Sequence, residues 1–397
     1  MAKISVALSG GGHRASLFGL GTLQYLADSG KHAEVVSIAS VSGGSLTNGY
    51  VGQNVAYRTT DGETFQAKVT DPFLAQITNH GTLFAPLLSK AYIGLLIVVG
   101  LASVVLPWLV TSIHFGWRVL LCLLGITALL GLAWLRGPLC RHALRQTLFS
   151  PEGSVTKLTD LHPGVDHVLC ATDLQSGDHV YFARDLAYGF QFGLGTPGPT
   201  DLATAAGASA ALPGAFTPVS IRTRNLGFVG GRQGRNARFL RLVDGGVYDN
   251  MADQWGTGYA GRVHRLPPAY ADKVPDELIT VNSSSGATWT ATSLLGVPII
   301  GEVRALLRDK DILYDNTTSH RRYALIERFD AARAAGTGTT GAYIGINQSP
   351  YVVARAFEAD STLGPKAKRV LAMLDEGPLT EEQWQEVANR SDGMSTN

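Results

Sequence analysis

Two short apolar runs near the start of the chain, Ile4–Leu8 and Val35–Ala39, each break into a glycine- and serine-rich turn and then into a helix-like run. A strand ending this way turns its backbone sharply, and glycine tolerates the left-handed, crowded geometry such a turn demands. The first turn reads Ser9-Gly10-Gly11-Gly12-His13-Arg14, the second Ser40-Val41-Ser42-Gly43-Gly44-Ser45. Successive strand–turn–helix units predict an α/β architecture, a mostly parallel sheet flanked by helices. The second turn lifts a serine hydroxyl out of the backbone, and the first offers a row of backbone N–H groups. Acyl transfer needs that combination of a nucleophilic oxygen and donors for the oxyanion it creates.

Gly10-x-Gly12-x-x-Ala15 also fits a relaxed dinucleotide fingerprint. That fold wants an acidic residue at the end of the second strand, about 20 residues on. Glu34 stands before Val35 and Val36, at the opposite end, and the strand delivers Ser40 and Ser42 instead. A third segment, Leu242-Val243-Asp244-Gly245-Gly246-Val247-Tyr248-Asp249-Asn250, sets a carboxylate at the end of an apolar run before two glycines. The three motifs in this order resemble the patatin-like phospholipases. The Gly-Gly-Gly-x-Arg-Ala form is also similar to the group IV cytosolic phospholipases. Ala171-Thr172-Asp173-Leu174 and Ala208-Ser209-Ala210-Ala211-Leu212-Pro213-Gly214-Ala215-Phe216 are further family-like segments. The resemblance therefore spans most of the chain outside residues 90–140.

The resemblance implies a Ser–Asp dyad without histidine, cofactor or metal. Ser42 would attack the acyl carbonyl of a phospholipid or lysophospholipid, with Asp244 as its base. Gly10, Gly11 and Gly12 would form the oxyanion hole, Arg14 would support that loop or steady a phosphate, and Gly43 and Gly245 would keep the turns tight. The elbow departs from Gly-x-Ser-x-Gly in one place, because Ser40 replaces the first glycine and adds a Cβ. Aspartate is a weak base in water, and burial brings a carboxylate closer to useful basicity. The competing arrangement is a Ser-Asp-His triad using His264 or His320. Its nucleophile sits further into the sheet than Ser42, which follows only the second strand-like run. His13 and most other histidines are expected at the surface or in loops.

The other dominant feature is an apolar stretch from Ala91 to Leu135. Ala91–Ile113 is about 23 residues without a charge, long enough to cross a bilayer, and Val119–Leu135 is about 17, at the short edge of the range. Between them lies His114-Phe115-Gly116-Trp117-Arg118, read as a tight turn. The pattern predicts a transmembrane helical hairpin, with a re-entrant hairpin or a buried pair of helices as alternatives. Lys90 precedes it and Arg136, Arg141 and Arg145 follow, so the positive-inside rule puts both flanks on the cytoplasmic face. Met1-Ala2-Lys3 runs straight into the first strand, which predicts no cleavable signal peptide. The expected organisation is a catalytic domain in two parts (1–89 and 141–390), an inserted hairpin (90–140) and a disordered tail (391–397). The bilayer is thus an expected partner, and the hairpin offers a surface for homo-oligomerisation.

Composition agrees, with 45% hydrophobic and only 16% charged residues. A net charge of +1 suggests no nucleic-acid partner. Cys122, Cys140 and Cys170 form no metal-ligand spacing and no disulfide framework, which suits a reducing compartment. Further expectations are helices at Ala15–Ala27, Gly43–Val55 and Leu202–Ala211, and a polar connection at 58–89. Strands are expected at Asp166–Asp173, His179–Phe182 and Glu277–Val281, the last ending in a serine loop, Asn282–Gly286. Residues 221–242 form an acid-free basic hairpin, read either as solvated or as attracted to anionic headgroups. Amphipathic helices are expected at Leu294–Arg308, Thr318–Ala334, Tyr351–Ala359 and Lys366–Leu374. A catalytically idle membrane protein on a hydrolase core is the alternative to the enzyme.

Overall fold

A computed structural model of the chain describes residues 2–83, 85–109, 114–150, 153–234, 236–284 and 300–346. The readings at 351–359, 366–374 and 391–397, and the ends Ser285-Gly286 and 294–299, lie outside the described residues. Eleven strands form one sheet: β1 (Ile4–Leu8), β2 (Val35–Ser40), β3 (Asp166–Asp173), β4 (His179–Phe182), β5 (Ala187–Gly189), β6 (Gly193–Gly195), β7 (Val219–Arg222), β8 (Val229–Gly230), β9 (Phe239–Asp244), β10 (Glu277–Asn282) and β11 (Thr340–Gly345). Five of them, in the order β11-β10-β1-β2-β3, run parallel. Beyond β3 the sheet continues antiparallel through β4, β5, β6 and β8. Helices α1 (Gly12–Asp28) and α2 (Gly43–Asn54) follow β1 and β2 directly. This is the helix-flanked sheet expected from the motifs, its parallel strands extended on one side by an antiparallel half.

Both faces of the sheet's centre are covered, so the parallel strands β1, β2 and β3 are buried throughout. Ile4, Val6, Leu8 and Ile38 pack with Leu20, Leu23, Leu46 and Leu202 in one apolar cluster. Ala7, Ala39 and Val41 pack on the other face with Trp255, Tyr259, Leu325 and Phe329. Residues 58–89, expected as a polar connection, are instead helical over most of 62–80. Phe65, Val69, Phe73 and Ile77 recur every fourth residue and are all buried, each contributing about 1.5–3 kcal/mol of apolar burial. That stripe overrides the polar composition of the segment.

The hairpin consists of a first helix, Leu87–Leu109, and a second, Phe115–Trp134, that continues as helix to Phe149. The expected turn at 114–118 is already the first turn of the second helix, and residues 110–113 lie outside the described residues. The helices touch where the Tyr92 hydroxyl donates to Leu132 O at 2.8 Å, and where Gly125 admits the Ser103 side chain. Small residues allow such close helix packing. The helical run Phe115–Phe149 is long and apolar enough to cross a membrane, and its most apolar stretch is not buried. A buried helical pair, one of the alternatives from sequence, is therefore ruled out for this run.

Candidate active site

Strand register, not sequence proximity, assembles the site. Strand β2 pairs with β3 up to Ser40 opposite Leu169. The other edge of β3 is taken by β4 from Leu169 to Thr172. Strand β9 pairs with Ala171–Asp173 and so occupies the β2 edge, just past the end of β2. Asp244 is opposite Ala171, two residues beyond the Ser40 pair. Ser42 lies two residues beyond Ser40, so serine and aspartate reach the same level. One carbonyl links them: Ser209 O accepts from Ser42 N at 3.0 Å and from Gly245 N at 3.1 Å.

Ser42 has φ 50° and ψ −122°, a conformation outside the usual allowed regions for an L-residue. Such strain costs on the order of 1–3 kcal/mol and persists only where the surroundings enforce it. Here α2 begins at once, with Ser45 N donating to Ser42 O at 2.9 Å. Beneath the elbow is a buried polar network. Ser45 Oγ donates to Ser40 Oγ at 2.9 Å and meets Ser209 Oγ at 2.8 Å, while Asn48 Nδ2 donates to Ser40 Oγ at 2.9 Å. Ser40, the one departure from the motif, is thus a hydrogen-bonded part of the support. Ser45 faces inward and is fully buried.

The glycine loop sits against the elbow. A Cβ on Gly43 would lie 2.0 Å from Gly12 O, and one on Gly10 would lie 3.2 Å from the Ser42 Cβ. Gly11 and Gly12 have φ of 142° and 67°, which only glycine adopts freely. Gly10 N donates to Asn250 O at 2.9 Å, so its N–H is engaged within the protein. No partner exists for the N–H groups of Gly11 and Gly12 among the described residues. Arg14 Nη2 donates to Ser283 O at 2.8 Å, and Ser283 N donates to Ser9 Oγ at 2.7 Å. Of the two roles expected for Arg14, support of the loop is the one its contact serves.

Asp244 is 2% exposed and its Oδ1 accepts from Gly246 N at 2.8 Å. A Cβ on Gly245 would strike Cys170 O at 2.2 Å, which accounts for the glycine there. Three residues around this turn gave no functional signal in the sequence. His179 is buried, donates from Nε2 to Gly245 O at 3.0 Å and packs on Tyr248. Burial pushes its pKa down to about 4, so the ring is neutral. Asn250 binds Gly10 through its carbonyl and Ser284 Oγ through Nδ2, bracing the aspartate turn against the glycine loop. Tyr314, from the helix Ile300–Ala335, packs against Gly246, and its hydroxyl is buried without a hydrogen-bond partner among the described residues. That helix is continuous where two helices were expected, and Arg321 clasps it to Asp249 at 3.3 Å and Asp253 at 2.9 Å. Burial, then the Asp249 charge, pushes the Asp253 pKa up to about 7, against the lowering effect of Arg321.

The remaining histidine expectations divide. His264 and His320 are exposed, and His264 meets Arg265 at 3.3 Å. His13, expected at solvent, is half-buried with Nε2 2.8 Å from Thr82 Oγ1, and burial lowers its pKa. The fold and site define a chain of the patatin class. The family model described as patatin-like phospholipase matches residues 6–252, and the chain belongs to that family. This removes the dinucleotide reading. Among solved structures, the chain is similar to human GIVD cytosolic phospholipase A2 in complex with methyl gamma-linolenyl fluorophosphonate and terbium chloride. The identity is 16%, with 49% of this chain and 24% of that one covered, at a TM-score of 0.31. It is also similar to VipD from Legionella pneumophila, at 15% identity over 90% of this chain and 64% of that one, with a TM-score of 0.33. The chain spans less than two thirds of either. No curated protein matches it.

Proposed function

We propose that the chain is a membrane-anchored lipid acyl hydrolase that cleaves carboxylic esters of phospholipids or lysophospholipids through a Ser42–Asp244 dyad. The observation that carries this is the strained Ser42 turn, whose N–H shares the Ser209 carbonyl with the residue after Asp244. Asp244 takes the Ser42 proton as the hydroxyl oxygen attacks the acyl carbonyl. The oxyanion is received by the N–H groups of Gly11 and Gly12, and Gly10 positions the loop. Collapse expels the glycerol oxygen, which takes up the proton, and leaves an acyl-Ser42 ester that water then hydrolyses. The hairpin holds this site beside a bilayer, with both flanks cytoplasmic.

The experiment is fatty-acid release from phosphatidylcholine and lysophosphatidylcholine by the detergent-purified chain beside Ser42→Ala. Release by the parent alone supports the enzyme. Equal release by both refutes it, and absence of release from both favours the idle lipid-binding reading.

A further inference from the structure

The chain carries a second feature that the catalytic reading does not use. Strands β7 and β9 form an antiparallel ribbon in the register Val219–Leu242, Ser220–Arg241, Ile221–Leu240 and Arg222–Phe239. One face holds Val219, Ile221, Leu240 and Leu242, all buried in the core. The opposite face holds Ser220, Arg222, Arg241 and Phe239, with the Arg241 guanidinium 5.1 Å over the Phe239 ring. Arg224, Arg232 and Arg238 flank the ribbon in its loops. These three and Arg222 and Arg241 are all exposed. Residues 221–241 contain no acid, and none of the five guanidinium groups is ion-paired among the described residues, the one carboxylate at hand, Asp173, taking the Arg241 backbone N–H at 2.7 Å. Cation density of this kind, left unneutralised, calls for an anionic partner.

The place of the ribbon in the fold selects that partner. Thr217, two residues before β7, packs on Gly137 at the base of the second hairpin helix, and Arg136 Nη1 donates to Gly214 O at 3.1 Å. The five-residue reach from Thr217 to Arg222 limits their separation to about 17 Å at 3.3–3.6 Å per residue. The antiparallel register, Val219 opposite Leu242, brings Asp244 to the same end of the ribbon as Thr217, three residues from Arg241, with Arg222 and Phe239 at the far end. A single ribbon therefore joins the hairpin base, the arginines and the catalytic aspartate. We infer that its arginine face docks on anionic lipid headgroups of the bilayer in which the hairpin sits. The inference rests on the membrane lipid hydrolase reading and adds to it a preference for anionic membranes. It also accounts for a guanidinium stacked on an aromatic ring, an arrangement that keeps the charge outward while the ring covers the stem.

The test is the partition of the detergent-diluted full chain onto vesicles of phosphatidylcholine with and without phosphatidylserine, at physiological salt. The ratio of the two partition coefficients cancels the hairpin, which contributes equally to both, and does not depend on turnover. The parent should favour the anionic vesicles. Arg222→Gln with Arg224→Gln and Arg241→Gln should lower the ratio by about 100-fold, at about fivefold per arginine near the surface. The corresponding triple lysine variant should retain the ratio, and near-UV circular dichroism should be unchanged in both. An unchanged ratio in the glutamine variant overturns the inference. So does equal loss in the lysine variant, which would make the arginines structural. Parent binding to a DNA oligonucleotide without preference for phosphatidylserine would assign the ribbon to nucleic acid and also overturn it.

Discussion

Gly43→Ala changes one hydrogen to a methyl group and should nearly silence the enzyme. The added Cβ would lie 2.0 Å from Gly12 O, 2.8 Å from Gly12 C and 3.1 Å from Gly12 N, where ordinary contact begins at 3.4 Å. All three atoms are backbone, so no side chain can swing aside. The elbow and the glycine loop would have to separate by more than about 1 Å, and overpacking of this kind costs about 1–3 kcal/mol. That leaves a domain of ordinary stability folded. The displaced group is the loop proposed to receive the oxyanion, and misplacement by about 1 Å costs on the order of 10²-fold in rate. Gly21→Ala is the control, since Gly21 lies within α1, is exposed and has nothing within 4 Å of the added methyl. It should keep full activity and stabilise by about 0.5–1 kcal/mol through helix propensity. Turnover of a soluble short-chain ester, beside thermal unfolding of both variants, makes the comparison. Near-parental turnover in Gly43→Ala would refute the claim that the loop acts at this distance from Ser42.

Three further outcomes follow from the same geometry. Asp244→Asn should lower ester hydrolysis by about 10²–10⁴-fold, while His264→Ala and His320→Ala keep most activity; a folded but inactive histidine variant would replace the dyad with a triad. Asp253 has a folded pKa raised to about 7 from 3.8, so its stabilising contribution is complete below the unfolded value and is lost as pH rises through the folded one. The melting temperature of the parent should therefore fall between about pH 4 and about pH 7 relative to Asp253→Asn and level off above, and parallel curves would contradict this assignment. Leu101→Arg, at an exposed position of the first hairpin helix, should cost about 2.5–3.5 kcal/mol of insertion and weaken resistance to carbonate extraction. A parent chain recovered in the soluble fraction would refute the anchor.

The sequence made the local motifs legible because each carries its own constraint. Strand ends followed by glycines gave β1, β2 and the starts of α1 and α2, and the charge-free run gave the hairpin helices. What it concealed was long-range. Asp244 comes level with Ser42, about 200 residues away in the chain, because β9 fills the edge of β3 that β2 vacates, a non-local pairing that no local pattern encodes. The supporting residues Ser209, Asn250 and His179 each bond to backbone N–H or carbonyl groups distant in the chain, so their partners leave no signature in the sequence. Strand β11 passed unread because its glycines and threonines resemble a loop. The helix at 62–80 was missed because its polar residues were weighed above the four-residue spacing of Phe65, Val69, Phe73 and Ile77. The basic segment 221–242 was read as one hairpin, whereas Val229–Gly230 within it pairs with β6 and only its ends join the β7–β9 ribbon, a split that required the register.

The central claim is that the strained serine is the nucleophile, and covalent labelling tests it most directly. The detergent-purified chain, treated with a fluorophosphonate and digested, should yield one modified peptide with the adduct on Ser42. Asp244→Asn should label far more slowly. Labelling at Ser45 or Ser284, or undiminished labelling of Ser42→Ala, would contradict the account.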